Sequence, residues 1–166
     1  MPTTYTKIAT VTVGAGGAAS IDFTSIPATY TDLKLVWSTR SSADNYDMGV
    51  TYNGSNANVT SRILWHTTAG TVISEANNYA YYVMNPSGST ASTFCSGELY
   101  MPNYAGSTNK SFSVDMVTEN NGSVVRQGLQ AGLNSNTAAI TSIGITPNAG
   151  NFVQHSTATL YGIKNS

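Results

Sequence analysis

Residues 11–27 read VTVGAGGAASIDFTSIP, and the residues after the glycines decide the fold class. Gly14, Gly16 and Ala19 satisfy the spacing G-x-G-x-x-A after an apolar run, the mark of a turn that seats a pyrophosphate on the first amides of a helix. That chemistry requires a helix directly after the glycines. Residues 20–26 instead alternate, with Ile21 and Phe23 on one side, and Pro27 closes the run. Alternation with a period of two is the signature of a strand. The stretch therefore reads as strand, flexible hairpin connection and strand, and the nucleotide reading falls with the missing helix.

The same period recurs along most of the chain. DLKLVWSTR places Leu33, Leu35 and Trp37 on one face, and YDMGVTYN groups Tyr46, Met48, Val50 and Tyr52. YTKIATVTV aligns Tyr5, Ala9, Val11 and Val13, with Thr6, Thr10 and Thr12 opposite. KSFSVDMVT aligns Phe112, Val114 and Met116; VVRQGLQAGL aligns Val125, Leu129, Ala131 and Leu133; TSIGIT aligns Ile143 and Ile145. Near the end, HSTATLYGIKNS sets Ala158 and Leu160 against Tyr161 and Ile163, a strand apolar on both faces. Glycine, proline and asparagine clusters punctuate these runs, and Asn53-Gly54 and Asn121-Gly122 are hairpin signals because both residue types tolerate positive φ. About ten short strands with essentially no helix describe an all-β sandwich or barrel. The expectation is one domain over residues 1–166.

Charge sets the limits on function. Only 9% of the 166 residues are charged and the net charge is −1, against about 25% charged residues in an average globular protein. Such a chain has no basic field to gather nucleic acid or anionic lipid. Near-zero net charge favours association, so a permanent place in an assembly is expected. The opening MPTTYTKIATVTV lacks the basic start and apolar core of a signal peptide, and no stretch approaches the roughly 20 apolar residues of a membrane span. Synthesis without export and no membrane partner are therefore expected.

Catalytic signatures fail one by one. No G-x-S-x-G elbow occurs, and His66 and His155 stand far apart as isolated histidines. Among the eight acids, Asp44, Asp47, Glu98, Asp115 and Glu119 could serve an acid–base pair, but no spacing selects two of them. Asp44, Asn45 and Asp47 hint at calcium without the six or more oxygens in series that a calcium loop supplies, so turn chemistry is the better reading. One cysteine and two separated histidines cannot close a zinc site, and Cys95 reads as a small core residue. The triplets Asn58-Val59-Thr60 and Asn121-Gly122-Ser123 are composition rather than glycosylation sites in a chain without an export signal. No enzyme, cofactor or metal is expected.

Residues 67–92 break the pattern and read as a long tyrosine-containing loop or insertion. Tyr79, Tyr81 and Tyr82 crowd its centre, and tyrosine suits contact surfaces because it offers a large amphipathic area at low entropic cost. Trp65, Tyr79, Tyr81, Tyr82, Tyr161 and Ile163 are the candidate interface residues.

Two stretches carry a resemblance. Residues 11–42 hold Phe23, Ser25, Ile26, Pro27, Tyr30, Thr31 and Leu33 in the pattern F-x-S-I-P-x-x-Y-T-x-L, and residues 160–164 read LYGIK. With PNYAGSTNK at 102–110 they make the whole chain similar to small virion proteins of tailed bacteriophages. The resemblance implies an antiparallel jelly-roll (Greek-key) or lectin-like β-sandwich on the virus particle. It implies a capsid cement or decoration protein that is made in the host cytoplasm, binds the outer capsid surface and stabilises neighbouring major-capsid subunits. The alternative is a tail-fibre or head-fibre adhesin domain that binds carbohydrate on the host surface. In a Greek-key sandwich the final strand adds beside an early one. Its second apolar face then calls for cover by a loop or a neighbouring subunit, so a homo-oligomer, most simply a trimer, is expected. Deleting residues 160–166 is expected to remove a strand and destabilise the fold.

Overall fold

Twelve strands form in a computed structural model that describes residues 4–66, 70–119, 121 and 125–164. They are β1 (Tyr5–Thr12), β2 (Ile21–Phe23), β3 (Asp32–Ser38), β4 (Asp47–Tyr52), β5 (Val59–His66), β6 (Val72–Asn77), β7 (Tyr82–Val83), β8 (Ser96–Pro102), β9 (Lys110–Thr118), β10 (Arg126–Asn134), β11 (Ile143–Pro147) and β12 (Thr157–Ile163). A wide sheet has the order β1-β12-β3-β8-β9-β10-β5-β6, and a small one the order β2-β11-β4-β7. All pairings between these strands are antiparallel. The protein is an all-β sandwich with no helix among the described residues. The expected loop at 67–92 instead supplies β6 and β7, an edge strand for each sheet, while 67–69 lie outside the described residues.

The sheets meet through the faces that alternation marked. Leu33, Leu35 and Trp37 of β3, Phe112, Val114 and Met116 of β9, and Met48, Val50 and Tyr52 of β4 are all buried. Burying each side chain of this size stabilises by roughly 1.5–3 kcal/mol before entropy is subtracted. Trp37 of the wide sheet stacks on Tyr82 of the small one, with centroids 4.9 Å apart and planes 13° apart. Tyr52 packs against Phe112 at 5.5 Å. Cys95 is buried, its thiol receives the Thr39 N–H at 3.2 Å, and burial pushes its pKa up.

The glycine stretch is a corner rather than a hairpin. β1 belongs to the wide sheet and β2 to the small one, so residues 13–20 carry the chain across. Ala18 is pinned by two backbone hydrogen bonds to Phe152, at 3.0 and 2.8 Å. Asn53-Gly54 likewise turns tightly, both residues at positive φ, but joins strands of different sheets. Only the second signal closes a hairpin, between β9 and β10; Asn121 has φ 54°, and Gly122 and Ser123 lie outside the described residues.

Two strand faces differ from the alternation. In β1 the register slips between Lys7 and Ala9, so the bulge at Ile8 reverses the phase; Tyr5 ends up exposed while Ala9 and Val11 turn toward the core. In β10 the aligned Leu129, Ala131 and Leu133 face outward, and Gly128, Gln130 and Asn134 are buried instead. The inward space there is already taken. A Cβ at Gly132 would lie 2.1 Å from the Phe112 ring, and one at Gly128 3.0 Å from Met116.

β12 lies inside the wide sheet, paired with β1 on one side and β3 on the other. Ala158 and Leu160 enter the core as expected. Thr159 and Tyr161 face outward, half-covered by the same sheet: Thr159 Oγ1 lies 3.0 Å from Thr10 Oγ1, and Tyr161 meets Tyr5 edge-on at 6.5 Å. Two cations are held by backbone carbonyls. Arg40 donates to Ser87, Ser89, Thr90 and Thr93 at 2.8–3.1 Å, which ties down the end of the 67–92 segment. The buried Lys110 ammonium donates to Asn136, Thr137 and Ala138 at 3.3, 2.8 and 2.7 Å.

Candidate functional site

Between β6 and β7 the chain passes from the wide sheet to the small one, and residues 78–81 span the open side of the sandwich. Buried side chains of the wide sheet hold this span by its backbone. Ser61 Oγ lies 2.7 Å from the Tyr79 carbonyl and 2.9 Å from the Gln130 oxygen, and its one proton is shared between them. The Gln130 carboxamide, in the orientation that satisfies both its ends, accepts from the Tyr81 N–H at 3.0 Å and donates to the Tyr81 carbonyl at 3.1 Å. Tyr82 therefore points into the core, and Tyr79 stays 43% exposed.

Behind the span sits a closed polar cluster. Arg126 Nη1 donates to Asp47 Oδ1 at 2.9 Å and to the Tyr81 hydroxyl, which itself donates to Asp47. The guanidinium lies 4.4 Å from the Tyr46 ring centroid and 5.4 Å from that of Trp65. Trp65 and Tyr81 stand 6.4 Å apart. Burial raises the Tyr81 pKa first, the hydrogen bond to Asp47 raises it further, and Arg126 opposes both. Desolvation likewise raises Tyr46 against the pull of Arg126. The Tyr81 phenol is thereby held in its protonated form beside the Asp47–Arg126 ion pair.

In front of that cluster is a groove of about 510 Å³, lined by Gly49, Asn56, Asn78, Tyr79, Tyr81 and Asn148 among others. The carboxamides of Asn56, Asn78 and Asn148 make no hydrogen bond to another described residue. No charged side chain lines it.

A second surface lies on the outward face of the wide sheet. Leu64 of β5 and Leu129 of β10 are direct cross-strand partners, 49% and 54% exposed, with Val72 exposed diagonally from Leu64 and Leu133 exposed four residues along β10. Apolar groups gathered in the open in this way usually mark an interaction site.

The structure separates the candidate interface residues. Trp65 and Tyr81 come together, with Tyr79 on the same span. Tyr82 is fully buried in the core, and Ile163 is 5% exposed though outside the core cluster, so neither is surface. Tyr161, half-buried, lies on β12, five strands from β5 in the wide sheet, or about 24 Å at strand spacing. Glu98 and Asp115 are cross-strand partners on the outward face, where Lys34 pairs with Glu98 at 2.8 Å. Asp44 lies against Gly88, and Glu119 caps Asn121. His66 ends β5, and His155 sits exposed in a turn with φ 73°. Among the described residues no three His, Cys, Asp or Glu side chains group as metal ligands.

The free asparagines, Arg126 and the outward leucines carry these surfaces without any motif. No protein-family model, curated protein or solved structure matches the chain.

Proposed function

We propose that the chain is a non-enzymatic structural protein of a tailed-phage particle, a cement or decoration protein bound to the outer capsid surface across neighbouring major-capsid subunits. The observation that carries this reading is the outward apolar row Leu64, Leu129 and Leu133 with Val72 at its edge, on a chain of net charge −1. Such a face is costly to leave wet and favours a permanent partner. Many such weak contacts, repeated over a shell, hold by avidity.

The strand order supports the jelly-roll part of the reading. β1-β12-β3-β8 of the wide sheet and β2-β11-β4-β7 are two four-stranded sets, and passing along the chain from one of these strands to the next changes set at every step except β4 to β7, as in two interleaved Greek keys. β5, β6, β9 and β10 then extend one of them, and the apolar face belongs to that extension.

The test is to add the purified chain to heads assembled without it. Saturable binding that raises the temperature of head disruption is the expected result, with gold-labelled antibody spread over the head of intact virions. Label confined to the tail, or no binding to heads, would sink the capsid assignment.

A further inference from the structure

We infer that the groove in front of residues 78–81 is a binding site for a neutral oligosaccharide. It is separable from the capsid proposal, because none of the outward residues Leu64, Leu129, Leu133 and Val72 lines this groove. Three free carboxamides, those of Asn56, Asn78 and Asn148, border one groove. Each offers two N–H donors and a carbonyl acceptor on neighbouring atoms. Sugar hydroxyls both donate and accept, so vicinal pairs match a carboxamide in a way that a phosphate or carboxylate, which only accept, does not.

The aromatic component is also present. Tyr79 lines the groove with 43% of its surface exposed, and its backbone is tied down through Ser61. A tyrosine held in this way presents a flat apolar face for the C–H side of a pyranose at little entropic cost. Tyr81 forms the back wall, and its hydroxyl is fixed by Asp47 and Arg126. Those two charges neutralise one another, which leaves no cation to favour an anionic sugar.

Size points to a chain of sugars rather than a single ring. The groove encloses about 510 Å³. Pockets for drug-sized ligands run roughly 300–1,000 Å³, so the groove has room for more than one sugar ring.

The experiment titrates the isotope-labelled full chain with maltohexaose, cellohexaose and chitohexaose to roughly 20 mM, with sialyllactose as the charged control. The expected result is movement of the side-chain amide signals of Asn56, Asn78 and Asn148 with at least one neutral hexasaccharide and not with sialyllactose. Tyr79→Ala and Asn78→Ala should each weaken that binding about tenfold with the melting temperature unchanged and head binding intact. No movement with any of the three neutral probes, or binding that both variants retain, overturns the assignment. Loss of head binding with sugar binding intact would instead strike only the capsid proposal.

Discussion

The hydroxyls of Tyr52 and Tyr82 meet at 2.8 Å with both side chains buried, so two neighbouring strands of the small sheet share one polar contact inside an apolar core. Each ring also packs on an aromatic of the wide sheet, Phe112 or Trp37. Tyr82→Phe keeps the ring and strands the partner hydroxyl, which should cost about 1–3 kcal/mol. Removing both hydroxyls should cost less than the sum of the single changes. Urea denaturation of the three variants checks this, and strict additivity would count against the pairing.

The same pair predicts the alkaline limit. Burial pushes both phenols above their ordinary value, and Tyr81 is raised too. The unfolded phenols ionise near pH 10 while the folded ones keep their protons. Stability from these groups is therefore fully present below pH about 10 and falls as pH rises beyond it, by about 1.4 kcal/mol per pH unit for each protected tyrosine. Denaturation midpoints measured from neutral to strongly alkaline pH should stay level and then drop. Tyr52→Phe should make the drop shallower; an unchanged slope would contradict the assignment.

Gly97 lies against the Trp37 ring, and an added Cβ would come within 2.2 Å of it. Trp37 is stacked on Tyr82 and has nowhere to yield. Gly97→Ala should therefore cost about 1–3 kcal/mol or more. Gly14→Ala, where nothing lies within 4 Å, should stay within about 0.5 kcal/mol. Thermal melting of the two variants separates close approach from a general glycine effect.

Ending the chain after Thr159 removes Leu160–Ile163 from between β1 and β3 (residues 165 and 166 lie outside the described ones). The first half of β1 loses its only strand partner, β3 loses one of its two, and Leu160 leaves the core. Against a net stability of about 5–15 kcal/mol, that loss should abolish cooperative unfolding in circular dichroism. A truncated chain that still melts sharply would show that β12 is dispensable.

Leu64→Glu with Leu129→Lys places an opposite-charge pair on the outward face, with the lysine also facing Asp115, without touching the core. Stability should change by no more than about 0.5 kcal/mol per site, while binding to phage heads should be lost. Heads that bind the double variant as well as the parent would mean that another surface docks.

Alternation by itself determined the class of this protein. Leu33, Leu35 and Trp37, or Phe112, Val114 and Met116, can share a face only in a strand, and no tertiary contact is needed to see it. The missing helix after Gly16 removed the nucleotide site on the same local ground. Only the tertiary structure decided which face of β10 points inward, because Gly128 and Gly132 had to make room for Met116 and Phe112 from the neighbouring strand. It alone sent Tyr82 inward and left Tyr79 outside, through Ser61 and Gln130 reaching the backbone between them. It alone gathered Asn56, Asn78 and Asn148 from three separate turns. Turn asparagines look alike along a chain, and their meeting depends on strand order, which is set by long-range packing rather than by local spacing.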